Sequence, residues 1–202
     1  MSPEDRRESI VVAALAVMRR QGIGGTTVRD VATELGTSSG LIHHYFASMD
    51  DLIAEAFSRE AGQDLADTRE MLERGQGPVE RLRLFMDAYA RTSEDSAMQI
   101  WLDAWSEAPR RPAIQRISRY LNDEWHALLA STIRDGVAEG SMASREPNAA
   151  AWRILALLDG LLLQAVAHGS SVSFADANIW SRTGAELELG LPTGTLARAD
   201  VR

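Results

Sequence analysis

The sequence of 202 residues contains no cysteine and no lysine. Without cysteine it has no disulfide framework, no thiol nucleophile and no thiolate metal site. A glycine-rich phosphate loop is also missing, because the glycines of Gly22-x-Gly24-Gly25 follow a predicted helix and are expected to form a turn. Catalytic residues and a bound cofactor are therefore not expected.

Long apolar runs are scarce as well. By this reading no run reaches the length of a membrane span, and the acidic start Ser2-Pro3-Glu4-Asp5 does not resemble a signal peptide. A content of 45% hydrophobic and 25% charged residues is typical of a soluble globular protein. We expect a cytoplasmic protein without a membrane partner.

The sequence also lacks an excess of basic residues. The formal net charge is −8, and residues 1–50 carry five arginines against six carboxylates. This balance argues against broad, nonspecific binding to nucleic acid, and only weakly against sequence-specific binding.

Helical periodicity is what the sequence contains in abundance, and no segment shows sustained strand alternation. The pattern predicts an all-α fold whose chain frays after Gly190. The first helix is expected to start after a Ser2 cap and to end at Gly22. The other long helices are predicted at 49–74, 79–95, 97–107, 112–139, 148–168 and 174–189.

Residues 27–46 predict two short helices separated by a glycine turn. Thr27 and Asp30 have the spacing of a capping box, and Gly36 can adopt the left-handed turn that ends a helix. In the second helix, which Thr37 and Ser38 can cap, the predicted core-facing residues are Ile42, Tyr45 and Phe46. The residues left facing outwards are Ser39, Gly40, Leu41, His43 and His44. Such a surface suits the floor of a groove, so the segment predicts a helix-turn-helix with its second helix in the DNA major groove.

This stretch resembles the DNA-binding half of the TetR family of bacterial transcriptional regulators. The matching residues are Thr26-Thr27-Val28-Arg29-Asp30-Val31-Ala32, Leu35-Gly36, Ser38-x-Gly40 and His44-Tyr45-Phe46-x-Ser48-x-x-x-Leu52. The resemblance implies a three-helix, helix-turn-helix head at residues 1–47. A larger helical body at residues 48–202 would bind a ligand and dimerise. The DNA-binding residues that it implies, together with the outward positions above, are Thr27, Ser38, Ser39, Gly40, Leu41, His43, His44 and Tyr45. Of these, Ser39, Gly40, Leu41 and His43 are expected to face the bases, and Thr27, His44 and Tyr45 the phosphates.

Two positions depart from the family pattern. The family usually has an aromatic residue where His43 stands. The histidine at this position would change the bases that are read. It usually has a phosphate-contacting lysine where Met49 stands, so one phosphate anchor is in doubt.

The segment LALLDGLLL, residues 155–163, is apolar nearly all round a helix. Such a helix is buried on several sides, either as an ordinary core helix or in a subunit interface. The family resemblance implies the interface, because these proteins form homodimers through their last two long helices. Two-fold symmetry would suit palindromic operator DNA with half-sites about 34–36 Å apart.

Aromatic residues recur in the middle of the chain. Trp101 and Trp105 stand at i, i+4, with Tyr89 on the preceding helix and Trp125 and His126 on the following one. Residues 98–140 also resemble, more loosely, the ligand-binding half of BetI-like family members. That resemblance implies a small-molecule effector at these five residues, in some cases a cationic one related to choline. The tryptophans would form a cation–π box, with Asp103, Glu107 or Asp159 supplying charge, unless they simply fill the core.

The alternatives come from other classes of protein. Asp123-x-x-His126 has the spacing of a metal-binding pair, but a di-metal helical site needs a second such pair, so no metal is expected. The leading interpretation is a ligand-responsive transcriptional regulator, a repressor released from operator DNA by a small molecule. The others are a helical small-molecule-binding protein with a vestigial head and a small helical-bundle enzyme.

Overall fold

The chain is helical throughout the residues that the computed structural model describes, which are 2–94, 96–168 and 171–197. This part of the chain contains α-helices joined by turns and shows no strand, which confirms the all-α prediction. The helices are α1 (Pro3–Gly25), α2 (Val28–Glu34), α3 (Ser39–Tyr45), α4 (Met49–Glu73), α5 (Pro78–Glu94), α6 (Ser96–Glu107), α7 (Pro112–Ala138), α8 (Pro147–His168) and α9 (Phe174–Glu188).

The helices form two compact units. The first contains Met1–Asp64 and Ser96–Asn122, and the second contains Leu65–Asp95 and Asp123–Arg202. Helices α4 and α7 therefore contribute residues to both units. The first unit includes α6 together with the predicted head, although the sequence interpretation placed α6 in the body. A functional division after residue 47 remains a prediction.

In the first unit, α1 packs against α2 and α6. Ser2 caps α1 and forms a capping box with Asp5, as predicted. The predicted apolar face of α1 is buried; its members are Ile10, Ala13, Ala14, Val17 and Met18. The helix continues to Gly25 through a break at Gly22, where φ is 77°.

In the second unit, α9 packs against α8 and α5. The apolar segment of α8 is covered on one side only, because Leu155, Leu158 and Leu162 are buried whereas Leu157 and Leu163 are 37% and 40% exposed. Other large apolar side chains of α8 and α9 also stay exposed; they are Trp152, Phe174, Ile179, Trp180 and Leu187. This unit thus carries an uncovered apolar surface on its last two long helices.

The prediction that no apolar run reaches the length of a membrane span was wrong for α8. By length and composition alone, its stretch Pro147–Ala167 is apolar enough to cross a membrane. The interpretation of the sequence overlooked it because Arg153 and Asp159 interrupt the apolar run. In the structure α8 packs along α9, and one such helix is weak evidence for a membrane segment.

The expectation of a frayed tail after Gly190 is wrong as far as Ala197. The side chain of Leu196 is fully buried. Its N–H donates to Glu186 at 2.7 Å, and its carbonyl accepts from Arg182 at 2.6 Å. Buried charges need such partners, and here the tail supplies them. The rest of the tail, residues 198–202, lies outside the described residues.

Candidate nucleic-acid interface and ligand cluster

The two short helices of the head are fixed by local hydrogen bonds. The N–H of Asp30 donates to the Thr27 hydroxyl at 3.3 Å, and the N–H of Thr27 donates to the Asp30 carboxylate at 3.1 Å. The hydrogen bond from the Thr27 hydroxyl lowers the pKa of Asp30, so the cap stays ionised. Gly36 has a φ of 66°, which only glycine adopts readily. The predicted capping box and glycine turn are both confirmed.

Helix α3 presents its predicted outward surface. Ile42 and Phe46 are buried at 2% and 4% exposure, as predicted, and they attach α3 to the unit. Ser38 is the N-cap of α3, but its hydroxyl makes no capping bond. Tyr45 is half-buried, and its ring meets the His44 ring edge-on at 5.2 Å. The remaining candidate DNA-binding residues are exposed, or half-buried in the case of Leu41; they are Thr27, Ser38, Ser39, Gly40, Leu41, His43 and His44.

Most arginines near the head are neutralised by carboxylates. Arg20 pairs with Glu34 at 2.7 Å, and further pairs join Arg7 to Glu55, Arg19 to Glu60 and Arg59 to Glu8. The Arg7 guanidinium also lies 4.5 Å from the centre of the Phe46 ring. Within the part of the chain that the structure describes, Arg29 is exposed at the start of α2 and forms no salt bridge. Contacts to phosphate would therefore depend on a few arginine side chains, on hydroxyl groups and on backbone N–H groups.

The three tryptophans of the predicted ligand box belong to different units. In the first unit, Trp101 is 7% exposed and packs edge-to-face on Phe57, with ring centres 5.1 Å apart. Trp105 lies against Trp101 with ring centres 5.7 Å apart. Trp125 belongs to the second unit.

In the second unit, Phe85 and Tyr89 of α5 meet Trp125 of α7. Trp125 packs edge-on against both rings, with centres 5.6 Å from Phe85 and 5.7 Å from Tyr89. Phe85 and Tyr89 stack with centres 6.0 Å apart. These three residues are called the ring cluster below.

A carboxylate of α8 joins the ring cluster. The Tyr89 hydroxyl donates a hydrogen bond to Asp159. Burial raises the pKa of Asp159 to about 6, and burial next to this carboxylate raises the pKa of Tyr89. Among the described residues Asp159 forms no salt bridge. A buried carboxylate beside aromatic rings suits a cation, because the charge and the ring faces both attract it.

His126 lies apart from these contacts although it follows Trp125 in sequence. Its ring stacks on Trp152 with centres 4.2 Å apart, and its Nε2 lies 2.9 Å from the carbonyl oxygen of Asn148. The sequence interpretation named Asp159 only as one of three possible charges. A stronger indication that Asp159 belongs to a site is that it is the one charged residue within the apolar segment 155–163.

Two family models match the chain. Residues 10–56 match bacterial regulatory proteins of the tetR family. Residues 78–190, which are more than half of the chain, match the C-terminal region of BetI-type transcriptional repressors.

Similar proteins are transcriptional regulators by name. The HTH-type transcriptional regulator BetI of Burkholderia mallei is 32% identical over 170 residues, which cover 82% of this chain and 84% of the relative. A candidate transcriptional regulator of Saccharomonospora viridis, solved in complex with choline, matches 92% of this chain and 98% of its own, with TM-score 0.84 and 26% identity. A TetR transcription regulator of Haloarcula marismortui matches 92% of this chain and 99% of its own, with TM-score 0.83 and 22% identity, and thus shares the fold.

Proposed function

This chain belongs to the TetR family of bacterial transcriptional regulators, with a BetI-type C-terminal region, and we propose that it represses transcription as a homodimer on a palindromic operator. It is a ligand-responsive DNA-binding regulator. The observation that carries the DNA-binding role is α3, whose small and imidazole side chains are exposed while Ile42 and Phe46 anchor its other side.

The base-reading surface is proposed to be Ser39, Gly40, Leu41 and His43. Exposed small residues let α3 approach the base edges closely, and an imidazole can donate or accept a hydrogen bond there. Thr27, His44 and Tyr45 are proposed to contact phosphates, because polar side chains at helix starts and ends can donate hydrogen bonds to phosphate oxygens. Ser38, the N-cap of α3, is a further DNA-binding candidate.

The homodimer is supported by the uncovered apolar surface of α8 and α9. Leu157, Leu163 and Trp180 stay between 37% and 48% exposed. Large apolar surfaces of this kind mark protein–protein contacts, and a two-fold axis would place the same surface on both protomers. Replacing the exposed Leu157 with Arg should yield monomers in sedimentation experiments, whereas a parent that is monomeric at micromolar concentration would contradict the homodimer.

The effector is proposed to be a cationic small molecule that binds at the ring cluster and Asp159. The Asp159 carboxylate is buried and forms no salt bridge with a described residue, and it accepts a hydrogen bond from Tyr89, whose ring packs with Phe85 and Trp125. The choline complex of the Saccharomonospora viridis protein supports a quaternary ammonium ligand. Of the five ligand-binding residues predicted from sequence, Tyr89 and Trp125 belong to this cluster; roles for Trp101, Trp105 and His126 stay predictions.

Effector binding is proposed to release the operator through α4 and α7. Both helices run continuously from one unit into the other, and α7 carries Trp125. A ligand shifts such an equilibrium only by its different affinity for the two states. Release therefore requires that the cation bind more tightly to the state that fits DNA poorly.

An electrophoretic mobility shift with the DNA just upstream of its own gene tests this function. The parent protein should shift that DNA at physiological salt in the presence of nonspecific competitor, and choline should reverse the shift. The matched control is the neutral analogue in which a tert-butyl group replaces trimethylammonium, and it should leave the complex intact. Equal release by both compounds would contradict a cation site.

A small-molecule-binding protein with a weak head is the second candidate, favoured by Met49 at the usual lysine position and by the paired arginines of the head. It predicts effector binding without a specific shift of any DNA. A cytoplasmic location and the absence of enzymatic activity are proposed from the family, whose members are soluble regulators of transcription.

A further inference from the structure

Helix α1 is interrupted just before the helix-turn-helix begins. Gly22 has φ 77° and ψ 165°, which is not helical, and α1 resumes for one short turn at Ile23. A helix that restarts lacks a partner for its first N–H groups, because no carbonyl precedes them at helical spacing. The buried residue Ile23 therefore needs an acceptor from elsewhere in the fold.

That acceptor comes from α6. The N–H of Ile23 donates to Oδ2 of Asp103 at 3.3 Å. A Cβ atom built on Gly22 would lie only 2.8 Å from the same oxygen, and one built on Gly24 would lie 3.3 Å from Oε1 of Glu107. Asp103 and Glu107 stand at i, i+4, so one face of α6 brings two carboxylates against two glycines.

We propose that Asp103 is a positioning residue for DNA binding, whose carboxylate caps the interrupted end of α1 and thereby fixes the direction in which the chain enters the helix-turn-helix. The turn that it holds, residues 23–25, leads directly to Thr26 and then to Thr27, the N-cap of α2. Thr26 reinforces it, because its hydroxyl donates to the Gly22 carbonyl at 2.7 Å.

Glu107 holds α6 in place for this contact. Its carboxylate accepts from Arg111 at 3.0 Å, and the same guanidinium reaches Asp50 in the first turn of α4 at 3.2 Å. A second hydrogen bond, from Arg110, lowers the pKa of Glu107, so the network is charged at neutral pH. The end of α6 is thus tied to α4 while its middle is tied to α1.

Two of the three glycines at 22–25 lie against these carboxylates of α6. Sequence alone explains it as a turn, but a turn needs glycine only at Gly22, where φ is positive. Gly24, whose φ is not positive, lies where an added Cβ would make a tight contact with the Glu107 carboxylate.

The inference rests on the DNA-binding function proposed above and is tested with DNA that the parent protein selects from a pool of random duplexes. Asp103→Ala removes the acceptor, Asp103→Asn keeps an oxygen in the same place, and Gln99→Ala is the matched control. Gln99 donates to the other oxygen of Asp103 at 3.1 Å and has no hydrogen bond to a described residue of α1. Affinity is measured by fluorescence anisotropy at several salt concentrations, and folding by circular dichroism.

We expect Asp103→Ala to bind the selected duplex about tenfold more weakly, since a buried N–H loses its charged acceptor. Asp103→Asn and Gln99→Ala should stay within about threefold of the parent. The slope of affinity against salt should not change, because Asp103 touches no phosphate. Parental affinity in a folded Asp103→Ala protein, or equal losses in all three variants, would overturn the inference.

Hydrogen exchange of the parent protein provides a second measurement that needs no variant. The Ile23 amide should be as protected as the buried amides of α1, and free exchange there would overturn the inference even if Asp103→Ala failed to fold. A parent protein that selects no duplex would instead remove the DNA-binding function, and this inference with it.

Discussion

The two candidate sites of this protein are built in opposite ways. The proposed DNA-binding surface comes from one stretch, residues 27–46, whose candidate side chains are mostly exposed and whose shape is set by caps and a glycine turn. The ring cluster and Asp159 come from α5, α7 and α8, and their side chains are held by one another. The first site is therefore local and open, and the second is assembled and buried.

This difference suits the two proposed partners, operator DNA and a small cation. Duplex DNA is large and must meet an exposed surface, so the backbone beneath that surface has to hold it in a fixed shape. A small cation can be surrounded, so burial strengthens its attraction to a carboxylate and to ring faces. The four predictions below test how far the contrast holds.

The largest effect is expected for Phe46→Ala, which attacks the support of the open site. The side chain is 4% exposed, so its loss should lower the free energy of unfolding by about 3–5 kcal/mol. Urea unfolding followed by circular dichroism measures this loss. The control is Leu41→Ala, at a half-buried neighbouring position. Compared with Phe46→Ala, it should lower the free energy of unfolding less and the affinity for DNA more. A Phe46→Ala protein as stable as its parent would show that α3 does not depend on this anchor.

The next effect concerns the buried site and pH. Burial raises the pKa of Asp159 to about 6, above its ordinary value of 3.8, so the unfolded chain loses this proton first as pH rises. The contribution of Asp159 to the stability of the parent should therefore fall between pH 4 and 6 by about 2–3 kcal/mol and stay level above that range. Asp159→Asn should abolish the fall, which urea titrations at a series of pH values would reveal.

Asp123→Asn is the control for that series, since Asp123 is an exposed carboxylate of the same unit. Choline should oppose the fall by stabilising the ionised form of Asp159, and its affinity should decline as pH drops below about 6. Identical pH profiles for the parent and Asp159→Asn would mean that this carboxylate is solvated like any other.

A smaller effect is expected for His43→Ala, which alters the open surface without touching its support. Loss of a base contact should cost about 1–3 kcal/mol of binding and relax preference at one base position. Competition binding with duplexes changed one base pair at a time would show the position. Weakening that is uniform across all sequences would instead make His43 a backbone contact.

The smallest effect is expected for Thr27→Ala, which removes the cap of α2. Caps of this kind contribute about 1 kcal/mol to stability. The same variant should lose a phosphate contact, so its DNA affinity should fall about equally for all sequences, while the salt slope stays unchanged because a hydroxyl carries no charge. Unchanged DNA affinity with reduced stability would assign Thr27 to the cap alone.

The open site was largely predictable from sequence because its determinants are neighbours along the chain. Thr27, Asp30 and Gly36 define caps and a turn within ten residues, and Ile42 and Phe46 mark the buried side of α3. The helices themselves were placed to within one or two residues, apart from α1, which passes through the Gly22 break.

The assembled site was only partly predictable because spacing along one helix does not reveal which helices meet. Trp101 and Trp125 were expected in one box, yet Trp101 packs on Phe57 in the first unit while Trp125 packs on Phe85 and Tyr89 in the second. The contact of Asp103 with the Gly22 turn was invisible for the same reason, since it joins positions far apart in the chain.

The tail that closes on Glu186 also decides when the second unit can finish folding. The Glu186 carboxylate is buried, and the amides that satisfy it, those of Gly194 and Leu196, follow α9 in the chain. The second unit can therefore be completed only after residues 194–196 have been synthesised, whereas the two short helices of the head can form earlier. A frameshift just after the codon for Gly190 would spare every proposed DNA and effector contact. It would still leave a buried charge without partners, and the product would be a substrate for proteases rather than a shortened regulator.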